Sequence, residues 1–368
     1  MTATKFPWES TPTLQITAGV PLRVEVLDQT ALPFEVRYRP ITGLDDGVTA
    51  IRDMWVRGAP LIGVVAAYSL AVSVTHDNSD AGIEAACQAL LSSRPTAVNL
   101  RWAIERMRWY VLRCAPEQRG AEAFDEARRL ATDEARCCER IGLHGADWIR
   151  RHTAARSRLN LLTHCNAGWL ATGAWGTALA PIYRLAREGV DVHVWVDETR
   201  PRNQGARLTA WELQQAGIAH TVVADNAAGY LMRTGQVDVV IVGSDRTTAR
   251  GDVCNKVGTY QKALAAFDND IPMLVALPVS TIDWRIEEGL DDIEIECRSS
   301  DELLWLEGPD SEGEMRRVRS AAPGSPALNY AFDVTPARLV TALVTEHGCT
   351  APDADAMKRL HALSSSTD

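Results

Sequence analysis

Asn160-Leu161-Leu162-Thr163-His164-Cys165-Asn166-Ala167-Gly168 is the stretch that decides the fold. Asn160 to Thr163 reads as a short buried strand, His164 to Asn166 stand where it ends, and Gly168 gives the backbone room to turn. Ala171 to Ala180 then resumes a helical pattern. Strand, glycine-containing turn and helix start form the place at which open α/β sheets put chemistry. Cys165 has two readings there. A helix N-terminus and nearby donors favour a reactive thiol, whereas most free cysteines are small buried hydrophobes.

Downstream, apolar strands alternate with helices. Leu159–Thr163, Val192–Val196, His220–Val223, Val237–Val242 and Met273–Leu277 read as strands. Helical segments fall at Thr172–Arg187, Arg207–Gln215, Ala227–Met232 and Lys256–Phe267, and Asp333-Val-Thr-Pro336 caps a last helix over Ala337–Glu346. This rhythm predicts a doubly wound, Rossmann-like parallel sheet covered on both faces. Upstream, Leu14–Thr17, Leu22–Leu27 and Phe34–Tyr38 read as a small antiparallel ribbon punctuated by Gly19, Asp28 and Pro33. Helices follow at Leu44–Trp55, Leu61–Val74, Ala81–Ser92, Asn99–Cys114 and Ala121–His152, the last a long connector. The class is α/β, with a smaller, mostly helical N-terminal domain over residues 1–153 and a catalytic domain over 154–368.

Bulk properties exclude several functions. The 368 residues carry a formal net charge of -10, without an electrostatic footprint for nucleic acid, although a local basic pocket for phosphate is compatible with that total. The N-terminus shows no apolar signal core. Ala59–Val74, the longest apolar stretch, is interrupted by Gly63, Ser69 and Ser73 and reads as a buried helix rather than a membrane span; the Ser-rich tail is Ser364–Asp368. Eight cysteines include no Cys-x-x-Cys or zinc spacing, and eight histidines include no His-Glu-x-x-His, so no metal site is expected. Reduced thiols and a cytoplasmic location follow. No Gly-x-Gly-x-x-Gly follows the first strand of the parallel sheet and no Walker A loop occurs, which disfavours a nucleotide cofactor.

The candidate residues fall at strand ends. Asp245, after an apolar strand, is suited to proton transfer in a crevice, or else pairs with Arg246 or caps a helix. Gly251-Asp-Val-Cys-Asn-Lys256 is expected to open a helix whose N–H groups, with Lys256, hold an anion; the plain alternative is a solvated lysine. Arg57 and Arg94 lie in Gly- or Pro-marked breaks, as phosphate forks or as surface and docking residues. Gln204 offers an amide to sugar hydroxyls or is a satisfied loop amide.

These motifs together resemble the S-methyl-5-thioribose-1-phosphate isomerase family of methionine salvage. The resemblance is carried by Arg57-Gly-Ala-Pro60, Arg94-Pro-Thr-Ala-Val-Asn-Leu100, Thr163-His-Cys-Asn-Ala-Gly168, the run from Asp197 to Leu213, Gly243-Ser-Asp-Arg246, Gly251–Lys256 and Phe332-Asp-Val-Thr-Pro336. It implies Cys165 and Asp245 as the catalytic pair, with Arg57, Gly58, Ala59, Arg94, Gln204, Asn255 and Lys256 at substrate-binding positions. It further implies a sugar-phosphate substrate, no metal or nucleotide cofactor, no nucleic-acid or membrane partner, and a homodimer. The same fold is shared by ribose-1,5-bisphosphate isomerases and by regulatory subunits of the translation initiation exchange factor, so fold alone does not choose. Arg202-Asn-Gln-Gly-Ala-Arg207 and the intact Arg94–Leu100 run point to the salvage isomerase; the alternatives are an isomerase of a related blocked sugar, 5-deoxyribose 1-phosphate or ribose 1,5-bisphosphate, and a non-catalytic regulatory subunit. Ser244, Cys297 and Tyr330 depart from the family's usual Ala, Glu and Pro. Trp169, Trp175 and Tyr68 are expected to supply apolar surface near the crevice.

Overall fold

The computed structural model describes residues 6–17, 23–153 and 156–365. Gly19, Leu22 and the tail beyond Ser365, each named above, lie outside the described residues.

Strands β1 (Leu14–Thr17), β2 (Arg23–Leu27) and β3 (Tyr38–Ile41) form an antiparallel ribbon in that order. The third strand begins at Tyr38, not Phe34, because residues 31–34 are a turn. The turn is tied down by Asp28, whose buried carboxylate accepts from Arg37 Nη2 at 2.8 Å and Arg39 Nε at 2.6 Å.

Helices α1 (Leu44–Arg52), α2 (Ala59–His76), α3 (Asp80–Ser93), α4 (Val98–Val111) and α5 (Arg119–Thr153) follow. Helix α2 is apolar on every side and is therefore packed at the centre of this cluster. By length and composition it could cross a membrane, but 78% of its apolar window is buried inside the protein, as the sequence reading expected. The 35 residues of α5 reach about 52 Å. Phe124, Ala127 and Leu130 in its first half pack on the α2 core, while Ile141, Ala146 and Ile149 in its second half pack on the parallel sheet.

That sheet contains β4 (Leu159–Thr163), β5 (Val192–Asp197), β6 (Ala219–Val223) and β7 (Val239–Val242). A smaller sheet is built around β8 (Arg246–Thr248) and β9 (Val253–Lys256), after which β10 (Met273–Ala276) returns to the first. With β11 (Phe332–Thr335) beside β9, and β12 (Ala342–Thr345) and β13 (Gly348–Thr350) completing the large sheet, its order is β13-β12-β10-β7-β4-β5-β6. All neighbours pair parallel except β13. From the C-terminal ends of adjacent β4 and β7 the chain departs in opposite directions. A crevice opens at such a switch point.

Three expectations need correction. The run Gly251–Lys256 does not open a helix: Val253–Lys256 is β9, antiparallel to β8 and β11, and helix α9 (Thr259–Asp268) starts later. Asp333–Pro336 is not a cap and Ala337–Glu346 is not a helix: Asp333 lies in β11, and Ala342–Thr345 is the buried strand β12. A short apolar run is ambiguous between strand and helix, and here burial within the sheet decides. The helix expected from Thr172 begins at Leu179, because Gly173, Trp175 and Gly176 have φ of 98°, 62° and 90°. The remaining helices on the sheet are α6 (Leu179–Arg187), α7 (Ala210–Gln215), α8 (Ala227–Arg233) and, unforeseen, α10 (Ala354–Ser365).

Candidate active site

Two side chains leave the end of β4 for different surroundings. His164 is buried, with Nδ1 3.0 Å from Asp197 Oδ2 and Nε2 2.8 Å from the Val257 carbonyl. Cys165 is half-buried, with φ 66°, and both residues border a chamber with Arg57, Gly58, Ala59 and Asn255. Asp245, from the loop after β7, lines the same chamber. It also lines a second one with Ile62, Arg94, Ala97, Ile293 and Phe332, so that Asp245 and Ala59 stand between the two. Asp245 does not pair with Arg246, whose Nη2 donates to the Thr96 carbonyl at 2.6 Å. The Asp245 N–H donates to the Cys254 carbonyl at 3.0 Å.

Cations gather around this pair. Lys256 is buried on β9, donates from Nζ to the Ala331 carbonyl at 2.8 Å and lies 4.7 Å over the Phe332 ring. Burial draws its ammonium below the usual lysine range, while Cys165 and Asp245 push it back up. Arg94 is likewise lowered by burial, and is supported by Glu296 at 3.7 Å and by Asp245. Arg57 donates to the Asn166 carbonyl at 2.5 Å from Nη2, and from Nη1 to the Asn166 side-chain oxygen. Gly58, with φ 94°, starts α2 so close to the following loop that a Cβ there would meet Ala171 at 2.5 Å. No side chain caps that helix start. Its first-turn N–H groups and positive dipole end therefore stand at the chamber, a setting suited to an anion.

Arg57, Gly58, Ala59, Cys165, Asp245 and Asn255 thus meet around one chamber, and Arg94 borders its neighbour. Lys256 reaches Cys165 and Asp245 through charge. Gln204 stands apart: it is buried in the turn after β5, and its Oε1 lacks a hydrogen-bond partner among the described residues. The apolar surface comes from different residues than expected. Trp169 packs on Trp211 at 5.6 Å, Trp175 on Phe6 at 4.5 Å and Tyr68 on Phe124 at 6.5 Å, each away from both chambers. Ile62, Ala97, Ile293 and Phe332 provide it instead.

Sequence reasoning missed the scaffold behind the site. Glu212 is buried and accepts from Asn166 Nδ2 at 2.8 Å, Trp169 N at 2.8 Å, Leu170 N at 3.1 Å and Tyr183 Oη at 2.7 Å, holding the loop after Cys165. Its place in the Asp197–Leu213 run was the available signal. Lys262, in mid-helix, gave none; its Nζ lies 3.1 Å from Asp197 Oδ2. His164, Asp197 and Asp225 bring ligand atoms within 4.8 Å of one another. Yet the Lys262 ammonium already supplies the positive charge there, and the Asp225 oxygens accept from Thr199 N at 2.8 Å and Arg200 N at 2.7 Å. This donor set fits an internal ion pair better than a metal. Among the departures from the family pattern, Ser244 Oγ lies 2.9 Å from Thr247 Oγ1, and Cys297 and Tyr330 are cross-strand partners.

Comparison with known proteins adds to this geometry. Residues 55–352 match the initiation factor 2 subunit family. The chain is 55% identical over 336 residues to a methylthioribose-1-phosphate isomerase of Methylobacterium nodulans, covering 91% of this chain and 92% of that one. It is 57% identical over 340 residues to the enzyme of the same name from Methylorubrum populi, covering 92% and 93%. Among solved structures, 5-methylthioribose 1-phosphate isomerase from Pyrococcus horikoshii matches with a TM-score of 0.83 at 35% identity, covering 99% of this chain and 100% of that one. The delta subunit of translation initiation factor eIF-2B from A. fulgidus matches with a TM-score of 0.78 at 34% identity, covering 94% and 99%.

Proposed function

This chain belongs to the initiation factor 2 subunit family, and within it we propose that it works as a methylthioribose-1-phosphate isomerase, converting S-methyl-5-thio-α-D-ribose 1-phosphate to S-methyl-5-thio-D-ribulose 1-phosphate in methionine salvage. It is an enzyme, an aldose–ketose isomerase. The observation that carries the residue assignment is the placement of Cys165 and Asp245 on one chamber at the switch point of the sheet, beneath buried cations.

The phosphate on the anomeric oxygen prevents simple opening to an aldehyde. The reaction therefore needs an acid for the ring oxygen and a group acting at C2. Asp245 is the proton donor and acceptor, and Cys165 is the second acid/base or stabilises developing charge. Arg94, Lys256 and the first turn of α2 (Gly58 and Ala59) hold the phosphate, while Arg57 links that turn to the loop after Cys165. Asn255 serves the sugar hydroxyls. The methylthio group lies against Ile62, Ala97, Ile293 and Phe332. Exclusion of water from the chamber favours either a proton shuttle or a hydride shift, and the helical N-terminal part, residues 1–153, closes over the crevice.

The protein acts as a homodimer in the cytoplasm. Supporting the dimer is an exposed apolar face on neighbouring helices α8 (Ala227–Arg233) and α9, where Tyr230 is 70% and Phe267 63% exposed. Supporting a reducing compartment are eight free cysteines.

A coupled isomerisation assay on purified protein tests the activity. Turnover of the methylthio sugar phosphate is expected, with a lower kcat/KM for 5-deoxyribose 1-phosphate. Absence of turnover with either would leave a non-catalytic subunit, and equal turnover of ribose 1,5-bisphosphate would replace the substrate.

A further inference from the structure

Cys165 carries a backbone conformation that residues other than glycine seldom adopt, with φ 66°. Just beyond β4 its amide and carbonyl have no strand partner, and buried backbone groups of this kind must find one elsewhere. Both find a threonine. Cys165 N donates to Thr199 Oγ1 at 2.9 Å, and Thr209 Oγ1 donates to the Cys165 carbonyl at 2.6 Å. Both threonines are fully buried.

Each hydroxyl is itself oriented. Thr199 Oγ1 donates to the Asp197 carbonyl at 3.0 Å while accepting from Cys165. The Thr199 residue is also left-handed, φ 65°, and is pinned where its N–H donates to Asp225 Oδ1 at 2.8 Å. Thr209 Oγ1 accepts from Asn166 Nδ2 at 3.2 Å while donating to Cys165. Thr209 ends a π-helical turn, Gly205–Thr209, that presses on the end of β5 so closely that a Cβ on Gly205 would overlap the Asp197 carbonyl.

The amide before the Cys165 Cα fixes one peptide plane and the carbonyl after it fixes the other. With both held, φ and ψ are determined, and the position of Sγ depends on χ1 alone. We propose that the Thr199 and Thr209 hydroxyls are positioning groups that clamp Cys165 from both sides and thereby aim its thiol at the substrate. The proposal rests on the assignment of Cys165 to catalysis. It assigns the two threonines no contact with substrate. Their contribution is the geometry of a residue that glycine would satisfy more easily but could not replace chemically.

Thr→Val removes the hydroxyl and keeps the shape; Thr→Ser does the reverse. Thr199→Val and Thr209→Val should each lower kcat on the methylthio sugar phosphate by roughly 10- to 100-fold with KM nearly unchanged, because displacing a reacting group by about 1 Å costs about that much. Thr199→Ser and Thr209→Ser should stay near the wild type. A packing role predicts the opposite ranking, with Ser impaired and Val tolerated, and that outcome, or equal activity of Val and wild type, overturns the proposal. Peptide-resolved alkylation of Cys165 by iodoacetamide provides a readout independent of turnover, and covers variants with lowered thermal stability. Its rate should change in the Val variants and be restored in the Ser variants; an unchanged rate in all four overturns the clamp. Cys165→Ser separates the premise from the proposal. If that variant keeps wild-type turnover, the catalytic assignment of Cys165 fails; if it is inactive while both Val variants are normal, only the clamp fails.

Discussion

Arg57 grips Asn166 twice, its Nη2 donating to the backbone carbonyl at 2.5 Å and its Nη1 to the side-chain oxygen. The start of α2 is thereby fastened to the residue following Cys165. Lysine keeps the charge but cannot reproduce a two-pronged donor. Arg57→Lys should raise KM and lower kcat together, by roughly three- to fivefold each, for the loss of about 1–2 kcal/mol of charged hydrogen bonding. Steady-state kinetics reads this; a pure KM effect would mean that the fork serves binding only.

Cys165→Ser and Asp245→Asn should lower kcat by about 100-fold or more with small changes in KM, since neither replacement transfers a proton as the original does. Circular dichroism should show the fold intact. An effect of Asp245→Asn confined to KM would limit Asp245 to binding.

Inorganic phosphate should compete with substrate, and Arg94→Ala or Lys256→Ala should weaken that inhibition by roughly 10- to 100-fold, the value of a charge-assisted contact. Burial lowers the Lys256 ammonium, so its charge is lost on the alkaline side below the ordinary lysine range. Phosphate inhibition should therefore fade as pH rises through that lowered value. Lys256→Arg should push the decline to higher pH. If inhibition is unchanged in both alanine variants, the anion sits elsewhere.

Glu134 is buried on α5, its Oε2 without a partner among the described residues, and burial, with Glu346 nearby, pushes its carboxyl up to about 8 from 4.5. The folded protein then holds a proton that the unfolded chain releases. Its contribution is full below pH 4.5, declines as pH rises from there, and has gone above pH 8. Glu134→Gln removes this dependence. Its melting temperature relative to wild type should rise between pH 5 and pH 8 by several degrees, at about 1.4 kcal/mol per pH unit as an upper scale. A constant difference across that range would show that Glu134 does not titrate on unfolding.

Ile293→Ala should cut kcat/KM for the methylthio sugar by roughly tenfold and for 5-deoxyribose 1-phosphate by less, because trimmed apolar contact is worth about 1–3 kcal/mol to the group that fills it. Equal losses for both sugars would remove Ile293 from the wall of that pocket.

Five of the six parallel strands were legible because each is a compact apolar run, and the end of β4 was read to the residue at Thr163; β12 was not. Legibility failed where tertiary context outweighs local pattern. Val253–Lys256 looks like the approach to a helix until Phe332–Thr335 pairs with it. Leu343 and Val344 are consistent with helix or strand until the sheet buries them. At the site, the residues that face the chamber carried motif signals. Lys262, behind them, meets the Asp197 carboxylate from far along the sequence, and Thr199 and Thr209, though inside the Asp197–Leu213 run, meet the Cys165 amide and carbonyl; no spacing rule reports such contacts.

β4 is hydrogen-bonded along both edges, to β5 and β7, and delivers His164 to the buried charges and Cys165 to the chamber. Losing or gaining one residue between Asn160 and Thr163 would slip this strand against both neighbours and turn its side chains to the opposite faces of the sheet. Leu161 and Leu162, fully buried, can trade one apolar side chain for another, and Thr163 is tied by its hydroxyl to the Ile241 carbonyl at 2.8 Å, but the number of residues cannot change. Lineages of this enzyme can therefore diverge here by substitution, while insertions and deletions are confined to the loops on either side.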